Sequence, residues 1–390
     1  MKILYCNPVF FEYRLPFYKE LVKLFNGKFY VMYSPLRFKI CKKEKFCDKI
    51  KIELGNNAIP FYGDHVFDTF SKKWDVMPDI EKGKRLPFSC GLIKKINSKK
   101  PDIIITEGYF QWTPLIQLWA FIHRVPVYMG YERTIWTERN NSKVITFIRK
   151  LQNKFIKGFI VNGSETKKYL ESIGVESSKI FIGGMSADSS KLKMDVKLFR
   201  SSDCNNFNKD LRPIADSNGL IFLFVGVIAE RKGIDRLLEV WSEHTKHYPK
   251  DLIWIVGDGN LYESLKTKFN KDKTIIFFGN VDYSSVYKYY AVSDVFIIPT
   301  IEDNWSLVVP EAMACGLPIA TSIYNGCHPE LIHEGVNGCT FDTFDQASIL
   351  KALDYFHHVN LKEHGKKSIE IEKEFNTENC ARRVYDAITK

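Results

Sequence analysis

Three common patterns are missing from this chain of 390 residues. Its apolar runs all fall far short of the roughly 20 residues that a membrane-spanning helix needs. Its nine cysteines are scattered and form no Cys-x-x-Cys pair, which argues against a zinc site or a disulfide framework and favours reduced thiols. The opening MKILYCNPV predicts a strand, with no signal-peptide pattern. We therefore expect a cytoplasmic protein.

The charge is unevenly distributed along the chain. Its length is sufficient for two α/β domains, and the 45% hydrophobic and 26% charged residues are ordinary for a globular protein. Residues 1–150 contain 27 Lys and Arg against 14 Asp and Glu, whereas the remainder contains 29 against 32. This asymmetry predicts that the first domain meets an anionic partner: a membrane surface, a lipid diphosphate or nucleic acid.

The stretch Leu36–Glu53 concentrates this positive charge. Seven Lys and Arg residues alternate there with Phe38, Ile40, Phe46 and Ile50. An interfacial contact with an anionic membrane would have this composition, and so would a solvated strand or loop face. No RNA- or DNA-binding motif accompanies the charge, so we predict no nucleic-acid partner.

The stretch Thr300–Ser322 carries the strongest signal for a binding site. An apolar run of strand length, Val295–Thr300, precedes a polar loop and a short helix with Pro310 at its first position. A strand, loop and helix in this order present free N–H groups suited to phosphate. Asp303 and Glu311 stand on either side and could bind sugar hydroxyls. Alternatively, the helix is only core and the acidic residues lie on a solvated loop.

A second strand and glycine loop opens the second half of the chain. The run Leu220–Gly226 predicts a strand, after which Arg231 and Lys232 precede a helix. Two cations at such a position would balance the charge of a diphosphate. The alternative is that the lysine only caps a helix.

Polar residues also follow predicted strands in the first half. The opening strand, helix and strand lack G-x-G-x-x-G, which argues against the usual dinucleotide fingerprint. Arg14 could reach a phosphate from the first loop, or it could be a surface arginine. Tyr131 and Glu132 begin a polar loop after the strand Pro126–Gly130. Because ligand loops lie at the carboxyl ends of parallel strands, this loop is a candidate binding site.

The central motif resembles that of a known enzyme family. Glu311 and the Ala-Met-Ala-Cys-Gly-Leu-Pro run after it are similar to the Glu-x7-Glu signature of retaining, GT-B-fold glycosyltransferases of family 4. This chain has Asp303 in place of the first Glu, and Asn304-Trp305-Ser306 in place of Gly-Phe-Gly. It also has Val227 where the family has Arg.

The resemblance implies an α/β, GT-B fold of two Rossmann-like, doubly wound domains facing across a cleft. We expect an acceptor-binding domain over residues 1–190, an interdomain crossing over 191–217, and a nucleotide-sugar-binding domain over 218–370. We expect residues 371–390 to form a helix that packs back on the first domain.

The resemblance also implies roles for individual residues. Asp303, Lys232 and Arg231 would be catalytic: the acid would hold the donor sugar and the cations would stabilise the diphosphate. No protein nucleophile, cofactor or metal is expected. The acceptor side would include Arg14, Tyr131 and Glu132. The expected donor-binding residues are Gly226, Val281, Ser306, Leu307, Val308 and, at the ribose, Glu311.

These expectations describe a hexosyltransferase of the EC 2.4 type. It would move a hexose-type sugar from a nucleoside-diphosphate sugar to a lipid-linked or surface-polysaccharide acceptor. It would work in the cytoplasm, peripherally on the inner face of an anionic membrane. Two alternatives are a GT-B nucleotide-sugar epimerase and a non-catalytic nucleotide-sugar-binding protein.

Overall fold

The chain forms two compact α/β units. The computed structural model describes residues 1–40, 43–64, 66–67, 84–85, 89–109, 112–202 and 219–390. One unit comprises Met1–Ser186 and Thr377–Lys390, and the other comprises Ala187–Asn376. Each is built on a parallel sheet. The predicted α/β class with two Rossmann-like domains is confirmed.

The first unit contains a seven-stranded sheet of short apolar strands such as IIITE and VYMGY. Such strands suit a parallel sheet that is covered on both faces. The nine described strands of this unit, seven of which form the sheet, are β1 Ile3–Cys6, β2 Phe29–Tyr33, β3 Ala58–Pro60, β4 Val66–Phe67, β5 Lys84–Arg85, β6 Ile103–Glu107, β7 Val127–Tyr131, β8 Gly158–Val161 and β9 Ile180–Ile182. The sheet order is β3-β2-β1-β6-β7-β8-β9, with all neighbours parallel, while β4 and β5 form an antiparallel pair.

Helices and two short 3₁₀ turns, Gly55–Asn57 and Ser177–Lys179, connect these strands. The helices are α1 Arg14–Leu24, α2 Pro35–Ile40, α3 Glu44–Leu54, α4 Leu92–Lys99, α5 Trp112–His123, α6 Lys143–Asn153 and α7 Ser164–Ser172. Side chains of α1 and α3 pack in one core cluster, and side chains of α4, α5 and α7 pack in another. These two clusters bury the two faces of the sheet.

The basic stretch Leu36–Glu53 differs from its prediction as a strand or loop face. Around the undescribed residues 41 and 42 it forms α2 and α3. Phe38, Phe46 and Ile50 are buried in the first core cluster, because they share the inward face of these helices. Their aromatic and aliphatic groups are therefore not available to a membrane surface.

The second unit contains a six-stranded parallel sheet. Its strands are β10 Ile221–Val225, β11 Leu252–Val256, β12 Ile275–Gly279, β13 Val295–Ile298, β14 Ile319–Ser322 and β15 Gly338–Phe341. The order β12-β11-β10-β13-β14-β15 turns outward in both directions from β10. The loops after β10 and β13 therefore meet at the carboxyl edge, where such sheets bind ligands.

Helices cover this second sheet, with 3₁₀ turns at Glu230–Lys232 and Tyr283–Ser285. The helices are α8 Ser190–Ser202, α9 Ile234–His247, α10 Tyr262–Lys268, α11 Tyr287–Val292, α12 Val308–Ala314, α13 His328–Leu331, α14 Gln346–Tyr355 and α15 Leu361–Lys373. None of the helices in the described ranges is long and apolar enough to cross a bilayer.

Helix α8 occupies part of the range predicted as an interdomain crossing. Leu192, Val196 and Phe199 are buried at helical spacing, and Arg200 donates hydrogen bonds to backbone oxygens at the ends of α11 and α12. These contacts fix α8 within the second unit. The rest of that predicted range, residues 203–217, lies outside the described residues.

The last helix, α16 Thr377–Thr389, belongs to the first unit although it follows the second in sequence. Its Cys380, Ala381, Val384 and Ile388 are buried in the same core cluster as the residues of α1. The apolar spacing of this helix therefore completes the core of the first unit.

A candidate donor site and a polar pocket

Glycines bring two loops together at the carboxyl edge of the second sheet. Gly226 follows β10 with φ 155° and Gly257 follows β11 with φ 138°. A Cβ on Gly257 would lie 1.9 Å from the carbonyl oxygen of Gly226. Because no side chain fits there, the two backbones approach closely. Gly226, which was predicted to bind the sugar donor, therefore lies at the carboxyl edge of this sheet.

The turn after β10 brings two cations to the loop after β13. Arg231 and Lys232 lie in the 3₁₀ turn Glu230–Lys232, which ends at Gly233 with φ 63°. A Cβ on Gly233 would lie 2.1 Å from the carbonyl oxygen of Pro299. Thr300 and the amide of Ile301 bond to the carbonyl oxygen of Arg231, both at 2.9 Å. These contacts connect the two predicted motifs.

Asp303 is the centre of the resulting cluster. Its Oδ2 lies 2.5 Å from Lys232 Nζ, 3.7 Å from Arg231 NH1 and 2.7 Å from the Ser306 hydroxyl. Burial raises the pKa of Asp303, but Lys232 and the other donors outweigh burial and hold the pKa below its usual value. The carboxylate is thus ionised and already paired, a connection that the separate sequence motifs did not reveal.

The cluster keeps one positive charge in excess, because two cations surround one carboxylate. Lys232 is buried, with 7% of its surface exposed. Among the described residues, no acceptor lies within hydrogen-bond distance of the buried Arg231 Nε. Val227, at the position where an arginine was expected, is 43% exposed on the neighbouring loop. A buried cation and an unsatisfied guanidinium donor suit an anionic ligand.

Asn325 fixes the acidic loop and was not among the predicted residues. It is fully buried, its Oδ1 accepts from the amide of Ser306 at 3.3 Å, and its Nδ2 donates to Thr321 Oγ1 at 3.0 Å. The amide of Gly326 bonds to the carbonyl oxygen of Asp303 at 3.0 Å. The Asn-Gly pair, which two residues separate from the end of β14, was the signal in the sequence, since such pairs form turns.

Two tyrosines hold Glu311 on α12. The Tyr283 hydroxyl donates to Oε1 at 2.9 Å and the Tyr290 hydroxyl donates to Oε2 at 3.3 Å. Burial raises the pKa of Glu311 to about 7, although both hydrogen bonds oppose this shift. Burial and then the Glu311 charge raise the pKa of both phenols, so they stay donors. Glu311 therefore titrates in the physiological range.

The remaining predicted donor residues lie on the same edge. Ser306 and Leu307 precede α12, and Val281 follows β12 in a half-buried loop position. Helix α12 begins at Val308, so Pro310 is its third residue and not its first as predicted. The first helical turn tolerates this proline because its N–H groups have no intrahelical partner.

The first unit has a polar pocket where β1, β7 and β8 end. Arg14 and Glu132, predicted separately, form an ion pair there. Glu107, which the prediction missed, lies 3.7 Å from Arg14 NH2 and accepts a hydrogen bond from the Tyr5 hydroxyl. Its position at the end of β6, in the run IIITEG, was the available signal.

Glycine and asparagine shape this pocket. A Cβ on Gly130 would lie 2.7 Å from the Tyr5 hydroxyl and 2.9 Å from Glu107 Oε2, so only glycine admits this pair. Asn162 is 4% exposed and lines the pocket. Within the described part of the chain, its Nδ2 has no acceptor. A buried donor without a partner costs about 1–3 kcal/mol, so a ligand oxygen would stabilise it.

Tyr131 is more deeply buried than an acceptor-contacting residue would be. It is 4% exposed, and its hydroxyl donates to Glu138 at 3.0 Å. Burial, and then Glu138, raise its pKa. The residue contributes to the pocket wall while its hydroxyl belongs to an internal network.

A third cluster lies in the second unit at the start of β11. Atoms of His244, Asp251 and His357 lie within 4.8 Å of one another, a composition that could hold a metal. Both imidazole Nε2 atoms lie 2.8 Å from the same Asp251 Oδ2. Asp251 Oδ1 accepts from the amide of Leu220 at 2.8 Å. These hydrogen bonds connect α9, the starts of β10 and β11, and the turn after α14, and we assign a structural role to the cluster.

Sequence comparison connects the second unit to a protein family. Residues 208–374 match the family described as "Glycosyl transferases group 1". An uncharacterized glycosyltransferase of Haemophilus influenzae is 34% identical over 139 residues, 34% of this chain and 38% of that protein. The alpha-monoglucosyldiacylglycerol synthase of Acholeplasma laidlawii is 26% identical over 168 residues, 42% of this chain and 41% of that protein. The matches thus span well under half of these two relatives.

Structural comparison covers the whole chain. The crystal structure of Anabaena HepE in complex with UDP has a TM-score of 0.74 and 13% identity, with all of both chains covered. At this identity the likeness establishes the fold. The chain therefore has the GT-B type of architecture, two Rossmann-like units, that such structures share.

Proposed function

We propose that this protein is a retaining glycosyltransferase that uses a nucleoside-diphosphate sugar as donor. The observation that carries the proposal is the cluster of Arg231, Lys232 and Asp303 at the carboxyl edge of the second sheet, with Glu311 on the helix α12 that follows the loop of Asp303. This cluster lies inside the region that matches the group 1 glycosyltransferases. A transferase of sugars needs both a cationic site for the diphosphate and acceptors for sugar hydroxyls.

The two cations receive the diphosphate of the donor. Lys232 and Arg231 carry two positive charges against the single charge of Asp303. Asp303 holds the lysine ammonium in place, so the site is organised before the donor arrives. The diphosphate adds negative charge at this position and the cations stabilise it as it leaves.

Glu311 binds the ribose in this proposal. Its two carboxylate oxygens are held by Tyr283 and Tyr290, which fixes their direction. An ionised carboxylate accepts hydrogen bonds from vicinal hydroxyls, whereas a neutral one accepts fewer. Nucleotide binding is therefore coupled to loss of a proton from Glu311.

The transfer proceeds without a protein nucleophile, cofactor or metal. The bond from the anomeric carbon to the diphosphate oxygen breaks, and the acceptor oxygen forms its bond on the same face. The acceptor proton passes to the leaving diphosphate. The residues supply position and charge stabilisation, which are large terms in such reactions.

The polar pocket of the first unit is the proposed acceptor site. Arg14 and Glu132 line this pocket and offer a donor and an acceptor for hydroxyls, while Glu107 lies behind them, 3.7 Å from Arg14 NH2. Within the described residues the buried Asn162 Nδ2 has no acceptor, so it can donate to a ligand oxygen. The proposed acceptor is lipid-linked or a surface polysaccharide, at the cytoplasmic face of an anionic membrane. The glucolipid synthase of A. laidlawii, which matches part of this chain, supports a lipid acceptor.

Labelled donors test the proposal directly. Thermal shift against UDP, GDP, ADP and CMP identifies the nucleotide, because a ligand of the folded state raises the midpoint. The matching labelled nucleotide sugar is then incubated with membranes as acceptor source. Transferred label with retained anomeric configuration supports the proposal. An epimerised donor indicates the epimerase, and binding without turnover indicates the non-catalytic alternative.

A further inference from the structure

Helix α6, Lys143–Asn153, lies with its apolar side facing outward. Val144, Phe147, Ile148 and Leu151 follow one stripe at spacings of three, four and seven residues, and they are 66%, 61%, 49% and 44% exposed. No residue of the helix is buried. A helix on a globular protein normally turns such a stripe toward the core. Among the described residues, nothing covers this stripe.

The polar side of α6 is the side that faces the protein. Arg149 NH1 donates to Glu138 at 2.7 Å and to the Tyr169 hydroxyl at 2.6 Å. The Tyr109 hydroxyl donates to Asn153 Oδ1 at 2.6 Å. Hydrogen bonds thus hold the helix in its inverted orientation, and rotation about its axis would break them.

Helix α5 extends the same apolar surface. Leu118, Phe121 and Ile122 are 54%, 69% and 65% exposed. The ring of Phe121 lies 5.9 Å from that of Phe155, which follows α6. The exposed apolar side chains of residues 118–122 and 144–155 therefore form one continuous surface, here named the α5–α6 patch. Isolated exposed apolar residues are common, but a contiguous patch marks an interaction site.

The charged side chains within the two segments that form the patch are all basic. Residues 108–131 and 139–164 contain seven Lys and Arg and no Asp or Glu. Lys143, Lys150 and Lys154 are exposed and follow the edge of the apolar stripe at spacings of seven and four. An apolar face bordered by lysines is typical of helices that lie in the interface of an anionic bilayer.

We propose that the α5–α6 patch docks this protein on an anionic lipid surface, with the apolar stripe of α6 in the interface and its lysines at the head groups. This deepens the proposed function, because it names the surface that would meet the membrane partner. It replaces Leu36–Glu53, where Phe38, Phe46 and Ile50 are buried in the core of the first unit. Charge disfavours a second copy as occupant, because a symmetric contact would bring the same lysines together.

Vesicle binding of the full chain tests the proposal. Vesicles of phosphatidylcholine mixed with phosphatidylglycerol are compared with pure phosphatidylcholine by co-sedimentation. The wild type should bind the anionic vesicles only. The double variant Phe121→Ser, Phe147→Ser should lower the partition coefficient at least ~10-fold. Reversal of Lys143, Lys150 and Lys154 to Glu should lower it about 100-fold at low salt.

The matched control reverses Lys45, Lys49 and Lys51 on α3 to Glu, with the same change in net charge. This control should bind like the wild type. Loss of binding in the control alone, equal binding to neutral vesicles, or wild-type binding by both patch variants would overturn the proposal. A concentration-dependent dimer that the Phe double variant dissociates would identify a second copy as the occupant instead.

Circular dichroism and nucleotide-induced thermal shift report whether the patch variants keep the fold and the donor site. Vesicle binding needs no sugar donor, and donor turnover can be measured in detergent without vesicles. Failure of the docking proposal and failure of the transferase proposal are therefore separate results.

Discussion

Glu311 makes nucleotide binding dependent on pH. Burial raises its pKa to about 7, and binding of ribose hydroxyls requires the ionised carboxylate. With this pKa about nine in ten molecules are ionised at pH 8 and about one in ten at pH 6. The dissociation constant of UDP-glucose should therefore rise about tenfold between these values, which corresponds to about 1.4 kcal/mol.

Calorimetry measures both parts of this prediction. Titrations in two buffers of different ionisation enthalpy should show release of nearly one proton per nucleotide at pH 6 and about a tenth at pH 8. The variant Glu311→Gln keeps the size of the side chain and removes the titration. Its dissociation constant for UDP-glucose should change much less between pH 6 and pH 8 than that of the wild type. The same pH dependence of the dissociation constant in the two proteins, or no proton release by the wild type at pH 6, would refute the reasoning.

The same pKa shift affects the unliganded protein with a defined sign. The pKa of Glu311 is raised on folding from 4.5 to about 7, so the folded state holds the proton more tightly. This contribution to stability is present below pH 4.5 and is lost as the pH rises to about 7. The urea midpoint of Glu311→Gln should therefore fall less between pH 4.5 and pH 7 than the midpoint of the wild type.

Three further substitutions test the geometry through the free energy of unfolding, measured with urea. Asp303→Asn leaves the buried Lys232 without its carboxylate and should cost about 3 kcal/mol; an unchanged midpoint would contradict the ion pair. Gly130→Ala forces a Cβ within 2.7 Å of the Tyr5 hydroxyl and should cost about 1–3 kcal/mol; an unchanged midpoint would contradict this close approach. Arg149→Ala removes the bond to Glu138 and should cost about 2 kcal/mol, with faster amide exchange in α6; full protection there would argue against its anchoring role.

The strands and the main motifs could be predicted because their signals are local. Apolar runs such as Val295–Thr300 predicted strands, and Arg231-Lys232 and Asp303 each followed a strand. In a parallel sheet the carboxyl ends of all strands share one edge, so both motifs had to lie there. The fold class was predictable from this pattern together with the family resemblance.

Contacts between distant residues could not be predicted from local patterns. The sequence contains no indication that Asp303 would pair with Lys232, or that Glu107 would join Arg14. These pairs depend on strand order, which brings β6 beside β1 although about 100 residues separate them. Tyr131 was predicted on the acceptor side because it lies at a strand end, but its hydroxyl donates to the buried Glu138 instead.

The direction in which a helix turns its apolar face also could not be predicted from local sequence patterns. The stripe of α6 has the spacing of a core-facing helix, and periodicity identifies a face without saying which way it turns. The interactions of Arg149 with Glu138 and Tyr169 decide the direction. In Leu36–Glu53 the direction was also mispredicted, because Phe38, Phe46 and Ile50 were expected at the surface and are buried.

Turnover of a labelled nucleotide sugar by Lys232→Ala tests the central claim most directly. Lys232 is buried beside Asp303, whereas Lys266 on α10 is exposed in the same unit, so Lys266→Ala is the matched control. Loss of one cation from the diphosphate should lower transfer or donor hydrolysis by about 100-fold or more, with the control near wild type. Wild-type turnover by Lys232→Ala in a folded protein would contradict the assignment of this cluster as the donor site.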